Sequence, residues 1–440
     1  MEPTPLSSLA DILGLQLADQ AEVCGASIDS RLVKKGDLFF ALVGNRSDGH
    51  AFLADVAKKG AVAAVVREDY QGDSFGLSLL KVPDVTLALQ ELARRILEKR
   101  KTKVVAITGS MGKTTTKEFT GELLATKYRL TKSPLSYNSK VTLPLSILMG
   151  NESDEILVLE MGMSEKGEIS TLVSIAPPDI ALLTTVTFQH STGFPEGLIG
   201  IAKEKGSIFS HPKTTLGFLP QNVPFFQEIK AIGTCSKKTF SIDSNDADLS
   251  GVIGEGEIVI EGQKIPLALS LRAHYHNFLG AVAIARALGV SWEEIKKVAP
   301  TLKLPPMRFQ EIKKSGIHFI NDAYNANPEA VMAALKSLPK PSARGKTIAV
   351  LSEMNALGVF TEEGHAQVAT TALSTADLLL CLGKNCLTMK KIWENEKREV
   401  YHFETKEELA SSLKKWALPG DVVLIKGARA WALEELLNHF

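Results

Sequence analysis

The apolar positions of this 440-residue chain change their spacing twice. Over the first hundred residues, short strand-like runs such as GDLFFALVG and AVAAVV alternate with turn signals. They end in TLALQELARRILEKRKTK, where Leu87, Leu89, Leu92, Ile96 and Leu97 are the apolar positions of a predicted helix. Its basic tail EKRKTK runs straight into VVAIT, which sets a boundary near residue 100. From residue 103, continuous apolar runs of strand length recur: VVAIT, EILVLEMG, DIALLTTV. Helix-like segments separate them, the alternation expected of a parallel sheet covered on both faces. The polar, glycine-punctuated SIDSNDADLSGVIGEGEIVIEGQKIPL predicts a small antiparallel insert. A helix is predicted from about His276 to Leu288, ended by Gly289. Pro300, Pro305 and Pro306 argue against helix through PTLKLPPMR. The buried-strand pattern then returns in KTIAVLSEM, DLLLCLG and DVVLIKGAR. The predicted fold class is α/β in three domains. Residues 1–100 form a mixed α/β unit, 101–305 a central parallel sheet with a phosphate loop, and 306–440 a smaller Rossmann-like sheet.

Composition adds exclusions. Lys+Arg and Asp+Glu both number 50, so nothing points to nucleic acid or an acidic membrane surface. The four cysteines, Cys24, Cys235, Cys381 and Cys386, form no CxxC and no spaced metal pair. They suit small hydrophobes of a reducing compartment. The start MEPTPLSSLADIL lacks a basic segment followed by an apolar stretch, and no apolar run reaches the ~18 residues of a membrane span. A cytoplasmic protein is expected.

Candidate chemistry begins at VVAITGSMGKTTTKEF, residues 104–119. A Walker loop reads G-x-x-x-x-G-K-[ST]. Aligned on Gly112, Lys113 and Thr114, its first glycine falls on Ile107, and Gly109 lies two residues too close. The physics tolerates the shorter loop. A strand leads into glycines and then a helix starting near Lys113, so free N–H groups and the helix dipole face an anion. Gly109 and Gly112 let the backbone curl, Lys113 supplies a cation, and Thr114 offers a hydroxyl to Mg²⁺. An ordinary βα turn capped by threonine is the reading that the residues alone leave open.

TGSMGKTTTKEF closely resembles the T-G-[ST]-x-G-K-[ST]-[ST] loop of the Mur ligase family, in which the shortened spacing is normal. Further stretches agree in family order: LVLEMGMSEKGEI with Glu160, TVTFQHSTGFPEGLIGIAKEKGSIF with His190, Lys203 and Lys205, and AHYHNFLGAVAIARALG with Asn277. NDAYNANPEAVMAAL, DSRLVKKGDLFFALVGNRSDGHAF, LSEMNALG and VLIKGAR resemble the branch that adds D-alanyl-D-alanine to UDP-N-acetylmuramoyl-tripeptide. The resemblance spans essentially the whole chain.

It implies an N-terminal uridine-nucleotide domain, a central ATPase domain and a C-terminal ligase domain. It implies an acyl-phosphate mechanism in which ATP activates the tripeptide carboxylate for attack by the D-alanyl-D-alanine amine. ATP and two Mg²⁺ ions are the implied cofactors, and a monomer the implied state. Gly109, Ser110, Met111, Gly112, Lys113, Thr114 and Thr115 would hold phosphates, Asn277 adenine, and Arg308 and Asp322 the ribose or phosphates. Thr114 and Glu160 would hold one Mg²⁺; His190 and a carbamylated Lys205 would hold the second, with Lys203 the alternative lysine. Ser30, Arg31, Asp48 and Gly49 would serve the uridine end, Asn138 the substrate side, and Tyr324, Asn325 and Asn327 the dipeptide. The chain departs from the family pattern at Ser139, Thr142, Gly280, Met307, Ser352 and Ala428, while Lys113, Thr114, Glu160, His190 and Lys205 are present. An active enzyme with altered affinities is therefore expected. The competing readings are a folylpolyglutamate synthetase-like ligase, a P-loop switch, and a nucleotide-binding scaffold without turnover.

Overall fold

The computed structural model describes all residues except 45–46, 189–192 and 356. Among them, strands pair into one two-stranded ribbon and three sheets of four, nine and six strands. The four-stranded sheet, Gly25–Ser27, Asp37–Phe40, Ala63–Arg67 and Ser78–Val82, is parallel throughout. The helix Val85–Lys99 packs Leu89, Leu92 and Leu97 against it, with Asp84 capping its start. Leu87, expected on the same face, is exposed instead; Val85, Ala88 and Ala93 complete the buried stripe.

The nine-stranded sheet carries the chemistry. Lys103–Thr108 lies third from one edge, flanked by Ile156–Glu160 on one side and Ile180–Leu183 on the other, all parallel. The chain thus leaves the Lys103–Thr108 strand toward one edge and returns to its other side, and loops at the carboxyl ends part there into a crevice. The expected antiparallel insert is present and continues this sheet. Its first strand, Leu249–Ile253, pairs in parallel with Ser236–Ser241, and the hairpin Glu257–Ile260 and Gln263–Pro266 extends the same sheet. The helix predicted from His276 begins a turn earlier and runs Arg272–Ala287, because Leu271 is the last extended residue. Gly289 follows it at φ +78°.

The six-stranded C-terminal sheet has an antiparallel edge strand, Gln310–Lys314, and otherwise parallel strands. Apolar packing divides unevenly. One continuous core joins the N-terminal unit to a face of the central sheet, from Leu6 through Leu89 and Val104 to Ile229. The C-terminal sheet has its own two cores, and only Leu271 of the central region enters one of them. Among the described residues no helix is long and apolar enough to cross a membrane.

Candidate active site

The loop Gly109–Gly112 closes the strand Lys103–Thr108 and opens the helix Lys113–Leu124. Both glycines have positive φ, and side chains there would overlap Thr184 and Asn277 respectively. Ser110 ties the loop to the next strand end, donating its hydroxyl to Thr187 O and its N–H to Thr185 O. Thr184 donates its hydroxyl to Met111 O. No side chain caps the helix, so its first-turn N–H groups are left for an anion. The Lys113 ammonium meanwhile curls back onto Gly109 O at 2.8 Å. Burial lowers its pKa and Arg308 adds to the drop, while Glu160 opposes it.

Glu160 ends its strand only 1% exposed. A buried carboxylate must be satisfied. Thr114 Oγ1 donates to one oxygen at 2.9 Å and Asn138 Nδ2 to the other at 2.7 Å. Ser136 Oγ lies 3.1 Å from Thr114 Oγ1. The alternative of a solvated acid at a strand end is thereby excluded. Thr115, also buried, follows on the same helix turn.

The C-terminal region reaches into this crevice. Arg308 Nη2 sits 3.4 Å from Thr114 Oγ1, and its guanidinium stacks 3.8 Å above the Tyr324 ring. Asp322 accepts from Phe309 N and from Lys426 Nζ at 2.6 Å. Lys426 also donates to Asn325 O. Asn327 caps the helix Pro328–Lys336 by accepting from Ala330 N. Together these groups line a cavity of about 390 Å³ with Ser110, Lys113, Thr114, Asn138, Glu160 and Asn277. Lys426, Ser136 and His274 also line it and were not singled out in the sequence. Lys426 stood within the quoted VLIKGAR and His274 within AHYHNFLGAVAIARALG, though neither was assigned a role there. A second cavity, about 400 Å³, opens at the amino ends of the central strands by Lys103 and Ile156 and holds no motif residue.

The two candidate lysines separate cleanly. Lys203 is exposed, and Lys205 is 1% exposed. The Lys205 side chain makes no hydrogen bond to any described residue, and burial together with the Lys113 charge drives its pKa well down. Glu204, next to it, accepts from Gly167 N and Ile169 N, which anchors the helix Leu198–Gly206 to the start of its neighbour. His190 lies outside the described residues.

The uridine candidates sit apart from this cavity, on loops following two adjacent parallel strands. Arg31 forks onto Asp29, and the Ser30 and Arg31 carbonyls accept from Lys59 Nζ. Asp48 caps the turn Gly49–Phe52 and pairs with His50 Nδ1 at 2.6 Å. A side chain at Gly49 would overlap the Ala41–Leu42 backbone.

The departures from the family pattern have physical accounts. Ser139 and Thr142 hydrogen-bond each other reciprocally at the start of the helix Thr142–Met149. Gly280 faces Leu182 and Phe240 in the core, away from the loop that Asn277 touches. Ser352 Oγ accepts from Ala428 N at 3.0 Å, so a hydroxyl absent at 428 is supplied from 352. Met307 stands at φ +58°, a backbone suited to glycine.

Family models match in chain order: "Mur ligase family, catalytic domain" over 22–96, "Mur ligase middle domain" over 107–285, and "Mur ligase, glutamate ligase domain" over 307–429. UDP-N-acetylmuramoyl-tripeptide–D-alanyl-D-alanine ligase of Bacillus subtilis (strain 168) is 32% identical over 434 residues, covering 96% of this chain and 93% of that one. The chain belongs to the Mur ligase family. Among solved Mur ligases, MurF from Acinetobacter baumannii superposes with a TM-score of 0.86 at 26% identity, covering 100% of this chain and 98% of that one. MurF ligase from Thermotoga maritima, solved in complex with ADP, gives 0.76 at 28% identity over 94% and 96%.

Proposed function

We propose that this Mur ligase joins D-alanyl-D-alanine to UDP-N-acetylmuramoyl-tripeptide, forming the pentapeptide precursor of peptidoglycan with ADP and phosphate. The observation that carries the reading is the cavity in which Lys113, Thr114 and Glu160 meet Arg308, Asp322 and Lys426, in a chain aligned end to end with ligases of that name. A scaffold without turnover has no need of a buried, fully satisfied Glu160 beside a phosphate loop.

The reaction balances as follows. The tripeptide carboxylate oxygen attacks the γ-phosphorus, and the bond to ADP breaks. The neutral amine then attacks the carbonyl carbon of the acyl phosphate, phosphate leaves with its electron pair, and one proton is released. The first step brings anions together, so fixed cations lower its barrier. Lys113 and the helix N-terminus hold the β- and γ-phosphates, with Gly109, Ser110, Met111, Gly112, Thr114 and Thr115 shaping the loop. Arg308 and Lys426 face them from the C-terminal domain, Asp322 fixes Lys426, and Asn277 borders the nucleotide. Tyr324, Asn325 and Asn327 border the dipeptide; Ser30, Arg31, Asp48 and Gly49 serve the uridine end. Domains 1–100, 101–305 and 306–440 take the uridine, ATP and ligation roles.

The oxygen donors of Thr114 and Glu160 suit Mg²⁺, which takes few protein ligands and keeps waters and phosphates. Bound there, Mg²⁺ would neutralise phosphate charge in the transition state. Lys205 reacts as its neutral amine with CO₂ to give a carbamate, which with His190 would hold a second ion. Its burial and the lack of a side-chain partner among the described residues support this.

Phosphate release from ATP with Mg²⁺ and bicarbonate tests the function. Release requiring both the tripeptide nucleotide and D-Ala-D-Ala, with the pentapeptide seen by mass spectrometry, is expected. ATP bound without release under any combination would return the scaffold reading.

A further inference from the structure

Lys117 has no part in the steps above, yet it is 0% exposed. A fully buried ammonium is stable only when its donors are taken up. Its Nζ donates to Ser133 O at 2.6 Å and to Leu135 O, and reaches Glu118 Oε1 at 3.1 Å. It thus grips two carbonyls of one loop, residues 133–138. Ser133 N also bonds Val158 O at 2.9 Å, whereas Leu135 is exposed and stands at φ +48°, so the Lys117 bond to its carbonyl is what ties the loop back to the helix there.

What the loop carries makes the grip consequential. Ser133 Oγ accepts from Glu160 N at 3.0 Å. Ser136 Oγ meets Thr114 Oγ1 at 3.1 Å. Asn138 Nδ2 donates to Glu160 Oε1 at 2.7 Å, and Asn138 O accepts from Gly162 N at 2.8 Å. The backbone of Glu160, one of its carboxylate oxygens and the Thr114 hydroxyl are therefore all set by a single loop. Lys117 lies one helical turn beyond Lys113 on the same helix. One helix so presents the phosphate cation, the threonine hydroxyl and the clamp on the loop that aims Glu160.

We infer that Lys117 is a positioning residue for the metal-binding oxygens, acting through the 133–138 loop on Glu160 and Thr114. The inference rests on the reading of those two residues as Mg²⁺ ligands. A lysine that served stability alone would shift Tm and leave the metal affinity of the folded protein unchanged.

The test uses the full chain with ADP, free Mn²⁺ followed by electron paramagnetic resonance, and hydrogen exchange of residues 133–138 without nucleotide. Each protein is measured where circular dichroism shows it folded. Glu160→Gln and Thr114→Ala are expected to weaken Mn²⁺ binding at least tenfold. Lys117→Met is expected to weaken it at least fivefold and to speed exchange in the loop. Combined with Asn138→Ala it should lose less than the two single effects together, because both act through one loop. Lys117→Arg keeps the charge, but its larger head must push the 133–138 loop aside at a fully buried site, and the same direction is expected. If Lys117→Met does not fold, a folded Lys117→Arg protein with wild-type affinity and exchange overturns the inference. So does a folded Lys117→Met protein whose Mn²⁺ affinity stays within twofold while Glu160→Gln loses its own. Unchanged binding in both Glu160→Gln and Thr114→Ala removes the metal reading, and the inference with it.

Discussion

Burial has opposite uses for three lysines of this chain. Lys117 donates to two loop carbonyls, and Lys113 turns onto its own loop. Lys205 has no described partner, and its pKa falls well below the ordinary range. A neutral amine is what CO₂ requires, so depleting CO₂ should lower activity and bicarbonate should restore it. Lys205→Ala should lose at least ~100-fold in kcat and all bicarbonate dependence; assays in CO₂-free buffer check both. Burial also depresses His274 and His276, each to about 4 from the ordinary 6.5. Above pH 6.5 both states of each are neutral and nothing is lost. As pH falls from 6.5 to 4, the unfolded chain takes the proton and the folded chain refuses it, so stability declines through that window and levels below it. Each contributes a decline of about 2–4 kcal/mol. Urea midpoints against pH should show the slope, and His274→Gln with His276→Phe should flatten it. The phosphate loop stood out in the sequence by its spacing at a strand-to-helix turn, and Glu160 by its place in a stretch that resembles the family. Lys117, His274 and Ser136 did not, since each is defined by what lies across space from it.

Element ends decide much of the site. The helix Lys113–Leu124 leaves its N-terminus uncapped, whereas Pro328–Lys336 is closed by Asn327 with proline in its first turn. One end is thus kept for a ligand and the other is satisfied by protein. Asn327→Ala should cost about 1 kcal/mol of stability. Asn327→Asp keeps the cap oxygen and should keep Tm; a raised KM for D-Ala-D-Ala in that variant would report that the amide N–H touches the dipeptide. Thermal melts and steady-state kinetics separate the two effects. The sequence showed buried strands well, because continuous apolar runs admit few alternatives. It placed the Arg272–Ala287 helix start late, because Leu271 gives no capping signal. It gave the antiparallel pairing of Leu249–Pro266 but not the parallel bond of its first strand to Ser236–Ser241, because polar edge strands look the same whether or not they join a larger sheet.

At the scale of the molecule, the N-terminal unit shares a core with the central sheet, while the C-terminal sheet is packed within itself. Among the described residues the C-terminal region meets the rest through side-chain contacts that include Arg308 on Thr114, Ser270 on Glu311 at 2.6 Å, Phe188 beside Phe360 at 5.1 Å, His274 beside Phe309 at 6.4 Å, and Leu271 in its core. Such an interface permits domain motion. Calorimetry should resolve two transitions, one for residues 1–305 as a unit and one for the C-terminal domain. MgATP should raise the second by bridging the cavity; a single transition unaffected by nucleotide would refute this. The cavity exists only where these two bodies meet, and the reaction assigned to it begins with phosphoryl transfer to a carboxylate. The most direct measurement uses tripeptide nucleotide with ¹⁸O in its terminal carboxylate, turned over with ATP and D-Ala-D-Ala, with the released phosphate analysed by mass spectrometry. One ¹⁸O in each phosphate from a fully labelled carboxylate is the result predicted. Phosphate free of ¹⁸O, with pentapeptide still formed, would contradict the acyl-phosphate route.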